Sequence, residues 1–332
     1  MDKAVRKVAG ALVAAGLLIS LSACAGATGD PTGGESGDGA LTVGVTIHQA
    51  DQYFQTVAKG VESAVEADGG SSVLVNTQTD AASEATGFQN LISRQVSGIV
   101  TSPLSPTGSL ASIKSASEAG IPIVCYNTCL GDEDNEKYVK AFIQSDQKDL
   151  GTQTGEFAVQ DLKARGLTDV TLGMLNCNRY EACKDRQNGF LDALKAGGLN
   201  VTVVGDQEAL APDEATQTAT DILTANPNIN VFWSSSQGAS EGMVAAIKAA
   251  GKTDAISSYA TDVSPALVQA IKDGQLRALT GQDSIRTGEL AVEYIKRAIA
   301  GEDIPEFVTS LPGVLYSVDN TAALDEYLAD NS

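Results

Sequence analysis

Histidine is almost missing from this chain: His48 is the only one in 332 residues. No H-E-x-x-H metal motif can exist without a second histidine, and a histidine base for a hydrolytic nucleophile has one candidate position. Basic residues are also scarce, 22 lysines and arginines against 42 acidic residues, for a formal net charge of −20. A body that acidic is repelled by nucleic acid and by anionic lipid, which argues against both as partners. A long apolar run is lacking as well. The run Val8–Ile19 is too short to stay in a bilayer as a permanent helix.

The flanks of that run give it a meaning. Lys3, Arg6 and Lys7 precede it, and Leu21-Ser22-Ala23-Cys24 closes it. Charge, apolar run, small residues and cysteine in this order resemble the lipobox of bacterial lipoproteins. The resemblance implies cleavage before Cys24 and lipidation of its thiol. An ordinary signal peptide, with Cys24 incidental, is the plainer alternative. Residues 1–23 are expected to be a signal peptide and residues 24–40 a flexible tether. Residues 25–40 contain no large apolar side chain, so they cannot bury enough surface to offset their ordering entropy. Setting residues 1–23 aside removes three basic residues (Lys3, Arg6, Lys7) and one acid (Asp2), which takes the net charge from −20 to −22. About 290 residues remain, enough for two ordinary domains.

Those residues hold four cysteines, Cys125, Cys129, Cys177 and Cys183. In an exported chain an even count suggests two disulfides. Three pairings are possible, and the short spacings favour Cys125–Cys129 with Cys177–Cys183. A zinc site is the rival. It is disfavoured because His48 is far from both pairs in sequence and exported thiols oxidise. No metal and no cofactor are expected.

From Leu41 onward β-like and helix-like segments alternate. Leu41–Ile47 reads as a strand; Tyr53–Ala67 follows with Phe54, Val57, Val61 and Val65 at helical spacing. Ser72–Asn76, Gly98–Thr101 and Ile121–Cys125 read as further strands, with helices at 83–95 and 107–119 between them. The rhythm returns in strands Val170–Leu175, Asn200–Val204, Val231–Ser234, Ala255–Tyr259 and Leu276–Thr280. Helices near 184–197, 213–225, 239–250 and 264–272 intervene, and a long one covers Arg286–Ala300. Such alternation implies an α/β fold of parallel sheets covered by helices on both faces. So many strands suit two sheets better than one, with 146–150 as a crossing point. Ligands of such sheets sit beyond the carboxyl ends of the strands. The candidates are therefore the residues just after each strand, at 48–54, 102–105, 126–128, 176–186, 235–237, 261–262 and 281–283.

Several local strings strengthen this reading: Asp51-Gln-Tyr-Phe54, Gly98-Ile-Val-Thr-Ser-Pro103, Ala119-Gly-Ile-Pro-Ile-Val124, Arg186-Gln-Asn-Gly-Phe190 and Lys272-Asp-Gly-Gln-Leu276. Their order and spacing from Leu41 to Ser317 resemble the type I periplasmic binding proteins of the ribose- and galactose-binding branch. That resemblance implies two doubly wound parallel-sheet domains joined by a three-segment hinge that closes on ligand. It divides the chain into 41–145 plus 283–309 and 147–281 plus 311–332. It also places ligand contacts at Asp51, Tyr53, Phe54, Asn127, Arg186, Ser236, Asp262 and Gln282. At Asn127 and Thr128 this chain departs from the family's aspartate–arginine pair, and Ser236 stands where the family has asparagine; ribose and glucose themselves fit these departures poorly. Planar forks of Asp, Asn, Gln and Arg suit adjacent hydroxyls, and an aromatic face suits the C–H side of a sugar ring.

Plainer roles compete at each position. Asp51 has the place of an N-cap for the first helix, and Phe54 has the phase of a core residue. The expected helix at 184–197 puts Arg186 in a first turn, where the helix dipole disfavours a cation, so a partner should hold it there. Trp233 lies within a strand and reads as core. The expected function is a lipid-anchored, monomeric solute-binding protein on the outer face of the cytoplasmic membrane. It would deliver a small polar ligand, a sugar or sugar-like polyol, to an ABC permease, and it would not be an enzyme. The alternative is a sensor presenting its ligand to a membrane receptor.

Overall fold

A computed structural model describes residues 40–331 except residue 51. The expected signal peptide, Cys24, Asp51 and the tether up to residue 39 lie outside the described residues. In chain order the first half runs β1 (Thr42–Ile47), α1 (Gln52–Glu66), β2 (Ser71–Asn76), α2 (Ala81–Ser93), β3 (Gly98–Thr101), α3 (Leu110–Glu118), β4 (Ile123–Tyr126), α4 (Asp132–Tyr138) and β5 (Ala141–Ser145). It continues with α5 (Gln147–Ala164), β6 (Asp169–Asn176), α6 (Glu181–Ala196), β7 (Asn200–Glu208), α7 (Pro212–Ala225), β8 (Val231–Ser234), α8 (Gln237–Ala249), β9 (Ser257–Thr261) and α9 (Pro265–Lys272). The last elements are β10 (Ala278–Gln282), α10 (Ser284–Ala300), β11 (Val308–Leu311), β12 (Gly313–Ser317) and α11 (Thr321–Asp330).

The strands form two six-stranded sheets, ordered β11-β5-β4-β3-β1-β2 and β12-β10-β9-β8-β6-β7. The chain passes between them three times, after β5, after β10 and between β11 and β12. One correction to an all-parallel pattern appears at the edge of the second sheet: β12 pairs antiparallel with β10, Ala278 facing Ser317. β11 runs parallel to β5 toward the ends where the chain crosses, and the one-residue link at Pro312 carries it straight on, so β12 enters the second sheet from the carboxyl end of β10 and runs against it. All other pairings are parallel.

Burial follows from this layering. β3, β4, β8 and β9 are buried at every residue, as strands covered on both faces must be. Each sheet has an apolar cluster on either side. The first is flanked by Val57, Val61 and Ile295 on one face and Phe88, Leu91 and Ile113 on the other. In the second, Phe190 stacks on Trp233 at 5.0 Å with Tyr259 nearby, so Trp233 is core. Side chains of Asp80, Asp146, Ser264 and Asp283 accept hydrogen bonds at helix N-termini, fixing where α2, α5, α9 and α10 begin.

Under the second sheet, Asp161 of α5 accepts from the Tyr259 hydroxyl at 2.7 Å and pairs with Arg277. Burial pushes the Asp161 carboxyl up, but the Arg277 and Tyr259 hydrogen bonds and the Arg277 and Arg165 charges outweigh it and hold it below its ordinary value. A depressed carboxylate stabilises the fold above its unfolded pKa of ~3.9, and that stability is lost as pH falls through the folded value. Asp161→Asn should therefore cost about 2 kcal/mol or more at neutral pH and flatten the acid limb of the stability curve below about pH 4. Denaturant titrations at neutral and acidic pH check both.

Candidate functional site

Parallel strands of each sheet end where the other sheet's strands also end, and the loops there carry most of the expected ligand residues. In the first sheet, His48 donates from Nε2 to the Ser102 carbonyl at 2.7 Å, Asn127 Nδ2 donates to Ser102 Oγ at 3.2 Å, and the Thr128 and Ser102 hydroxyls lie 3.0 Å apart. Asn127 is exposed and sits at φ +59°, a left-handed conformation that asparagine tolerates. The Cys125–Cys129 disulfide closes the loop around it.

In the second sheet the corresponding residue after β9, Asp262, also has positive φ, +66°. Arg186 Nη1 donates to Asp262 Oδ2 at 2.7 Å and to the Ser235 carbonyl at 2.9 Å, while its Nε donates to Gln147 Oε1 at 2.7 Å. Gln282 Nε2 donates to Asp262 Oδ1 at 3.2 Å, and Ser145 Oγ donates to Gln282 Oε1 at 2.9 Å. The result is a continuous relay, Gln147–Arg186–Asp262–Gln282–Ser145, running from the second sheet to the last residue of β5 in the first. Two of its members, Ser145 and Gln147, carry no motif; they flank the first crossing of the chain, and only the fold brings them in.

The first-turn argument for Arg186 needs correction. Helix α6 begins at Glu181, not 184, so Arg186 lies past its first turn. What holds the guanidinium is its set of acceptors, and it is 6 % exposed. Ser236 occupies the N-cap of α8, and its buried Oγ has no hydrogen-bond partner among the described residues. Such an atom costs about 1–3 kcal/mol, which a ligand hydroxyl would recover. Phe54 is buried against His48 at 4.8 Å and Tyr126 at 6.0 Å, the core role; neighbouring Tyr53 is half-buried and reaches a cavity.

That cavity, about 440 Å³, is lined by Tyr53, Gln237, Asp262 and Gln282 among others, whereas Phe54, Asn127, Arg186 and Ser236 do not line it. Its volume lies in the range of small-molecule clefts, ~300–1,000 Å³. The second disulfide, Cys177–Cys183, closes the loop after β6. Among the described residues no group of three or more His, Cys, Asp or Glu is placed to hold a metal, and no helix is long and apolar enough to cross a membrane.

One spacing in the chain matches a hydrolase signature, Gly238-Ala-Ser-Glu-Gly242. The nucleophile of that signature sits on a tight strand-to-helix turn. Ser240 instead lies inside α8 and is fully buried, with Oγ donating to the Ser236 carbonyl at 2.6 Å, and His48 belongs to the other sheet's rim. The geometry of a serine nucleophile is not formed.

The ABC transporter periplasmic-binding protein YphF of Escherichia coli is 28 % identical to this chain, over 83 % of it and 86 % of YphF. The D-allose-binding periplasmic protein of the same organism is 25 % identical, over 77 % and 84 %. A solved ABC transporter solute-binding protein from Bacillus halodurans with bound myo-inositol has a similar fold, with a TM-score of 0.69 at 22 % identity, covering 89 % of this chain and 99 % of that one. The family described as periplasmic binding protein domain matches residues 43–303, a span that runs from β1 through α10 and holds Arg186, Asp262 and Gln282, and this chain belongs to that family.

Proposed function

We propose that this chain is the extracytoplasmic solute-binding component of an ABC importer and takes a sugar or sugar-like polyol between two lobes, 41–145 plus 283–309 and 147–281 plus 311–332. The observation that carries the reading is the relay of planar forks, Arg186, Asp262 and Gln282, ending on Ser145 of the opposite sheet. Forks of this kind take adjacent hydroxyls in pairs, and a ligand seated on them touches both lobes, so it stabilises the closed form. Asn127, Ser236 and Tyr53 complete the ligand set, with Asp51 joining it on the sequence argument alone. The ABC-transporter role of YphF and of the Bacillus halodurans protein supports an importer over a receptor-presenting sensor, and the ABC permease is the partner that follows.

A thermal-shift screen of pentoses, hexoses, inositols and nucleosides tests this. At least one sugar or polyol should raise the melting temperature in a concentration-dependent way; a shift given only by nucleosides, or by nothing, would reject the reading. The lipobox-like Leu21–Cys24 supports attachment to the outer face of the membrane through a lipidated Cys24, the body acting as a monomer. Cys24→Ala should move the protein from the membrane fraction to the soluble fraction. A mutant that sediments with membranes like the parent excludes the anchor.

A further inference from the structure

The cavity does not stop at the forks. Gln52, Tyr53, Thr56 and Lys59 line one side of it, a single face of α1 about 10 Å long at roughly 1.5 Å per residue. Ala323, Glu326 and Tyr327 of α11, with Asn331 at its C-cap, line another, about 12 Å long by the same rise. One hydrogen bond, Gln52 Nε2 to Asn331 Oδ1 at 2.8 Å, bridges the two helices. Tyr327 packs edge-on against Tyr316 with ring centroids 5.3 Å apart, and both face the same cavity. A single pyranose ring held on Asp262 and Gln282 is shorter than either wall. The rest of the cavity, its outer chamber, combines aromatic rings with amide, hydroxyl, ammonium and carboxylate groups, the donors, acceptors and ring faces that a sugar engages.

We infer that the ligand has two rings: a first sugar or polyol ring gripped by Asp262 and Gln282, and a second, glycosidically linked ring between α1 and α11 against the Tyr316–Tyr327 pair. This rests on the sugar-binding reading above and sets the size of its substrate. The second ring touches Glu326 and Asn331 through its hydroxyls and Tyr327 through its C–H face. Burial pushes the Tyr327 phenol up, which keeps it a neutral hydrogen-bond donor.

Calorimetry on the detergent-solubilised full chain with matched pairs tests it: D-galactose with lactose, D-fructose with sucrose, myo-inositol with galactinol. In at least one pair the two-ring member should bind about tenfold tighter or better than its one-ring partner. Ala323→Trp, which fills the outer chamber, should cancel that advantage and leave the one-ring affinity within about twofold. Tyr327→Ala probes the same wall by removal and should cost the two-ring member about tenfold. One-ring members binding as tightly as their partners in every pair, or an advantage that survives both variants, would overturn the second ring while leaving sugar binding intact. Binding by no member of either kind overturns the sugar reading as well.

Discussion

Arg186→Ala and Asp262→Asn should each weaken binding of the best sugar or polyol from the screen by at least about tenfold, one decade being 1.4 kcal/mol. Hydrogen bonds to charged groups are worth about 1.5–3 kcal/mol each; Asp262 lines the cavity, and Arg186 holds its carboxylate in place from behind. The two variants differ in what they do to the empty protein. Arg186 is 6 % exposed and is the cation that pairs with Asp262, so its removal leaves a poorly compensated carboxylate and should lower stability by about 2–3 kcal/mol. Asp262→Asn keeps a residue that tolerates φ +66° and keeps an oxygen facing Arg186, so its melting curve should stay near that of the parent. Calorimetry and melting curves on both variants separate affinity from folding. Near-parental affinity in both would show that the cleft was assigned to the wrong residues.

Gly151→Val should be the most damaging small change to the helices that cover the second sheet. A β-carbon at Gly151 falls onto the Arg186 carbonyl, because α5 and α6 approach there backbone to backbone. A carbonyl cannot swing away as a side chain can, so the helices must part. Overpacking of this kind costs about 1–3 kcal/mol and more when backbone must move, which lowers the melting temperature by roughly 6 °C or more. The change also shifts the turn of α6 that carries Arg186, so affinity should fall in whatever fraction folds. A Gly151→Val protein with parental melting and affinity would show that the two helices need no such contact. Gly60 of α1 stands in the same relation to the Ile285 carbonyl of α10 beside the first sheet.

This close packing explains what the sequence hid. Helix α5 contains Gly151, Thr152, Thr154 and Gly155, poor helix formers that blur its pattern; those small residues are what let α6 approach. Strands β11 and β12 are four and five residues long and at best partly buried along most of their length, so neither shows a strong apolar run. Strands β1, β3, β4 and β8, by contrast, are apolar runs buried on both faces and were readable without the fold. The site divides the same way. Arg186, Asp262 and Gln282 were legible because each follows a strand or opens a string that resembles a known family. Ser145 and Gln147 were not, because a serine and a glutamine beside a short strand look like any polar loop. Their meaning arises only where three crossings of the chain meet.

The two left-handed residues at the cleft rims, Asn127 and Asp262, bear on how such a protein can change its ligand over evolutionary time. Aspartate and asparagine are the non-glycine residues that accept this backbone most readily, and their codons differ by one base. At either rim a carboxylate can thus be exchanged for an amide, or the reverse, in a single mutational step with little effect on the backbone that holds it. A descendant of this chain can in that way shift between acceptor-only and mixed donor–acceptor recognition of hydroxyls, one rim at a time, while its fold goes on unchanged.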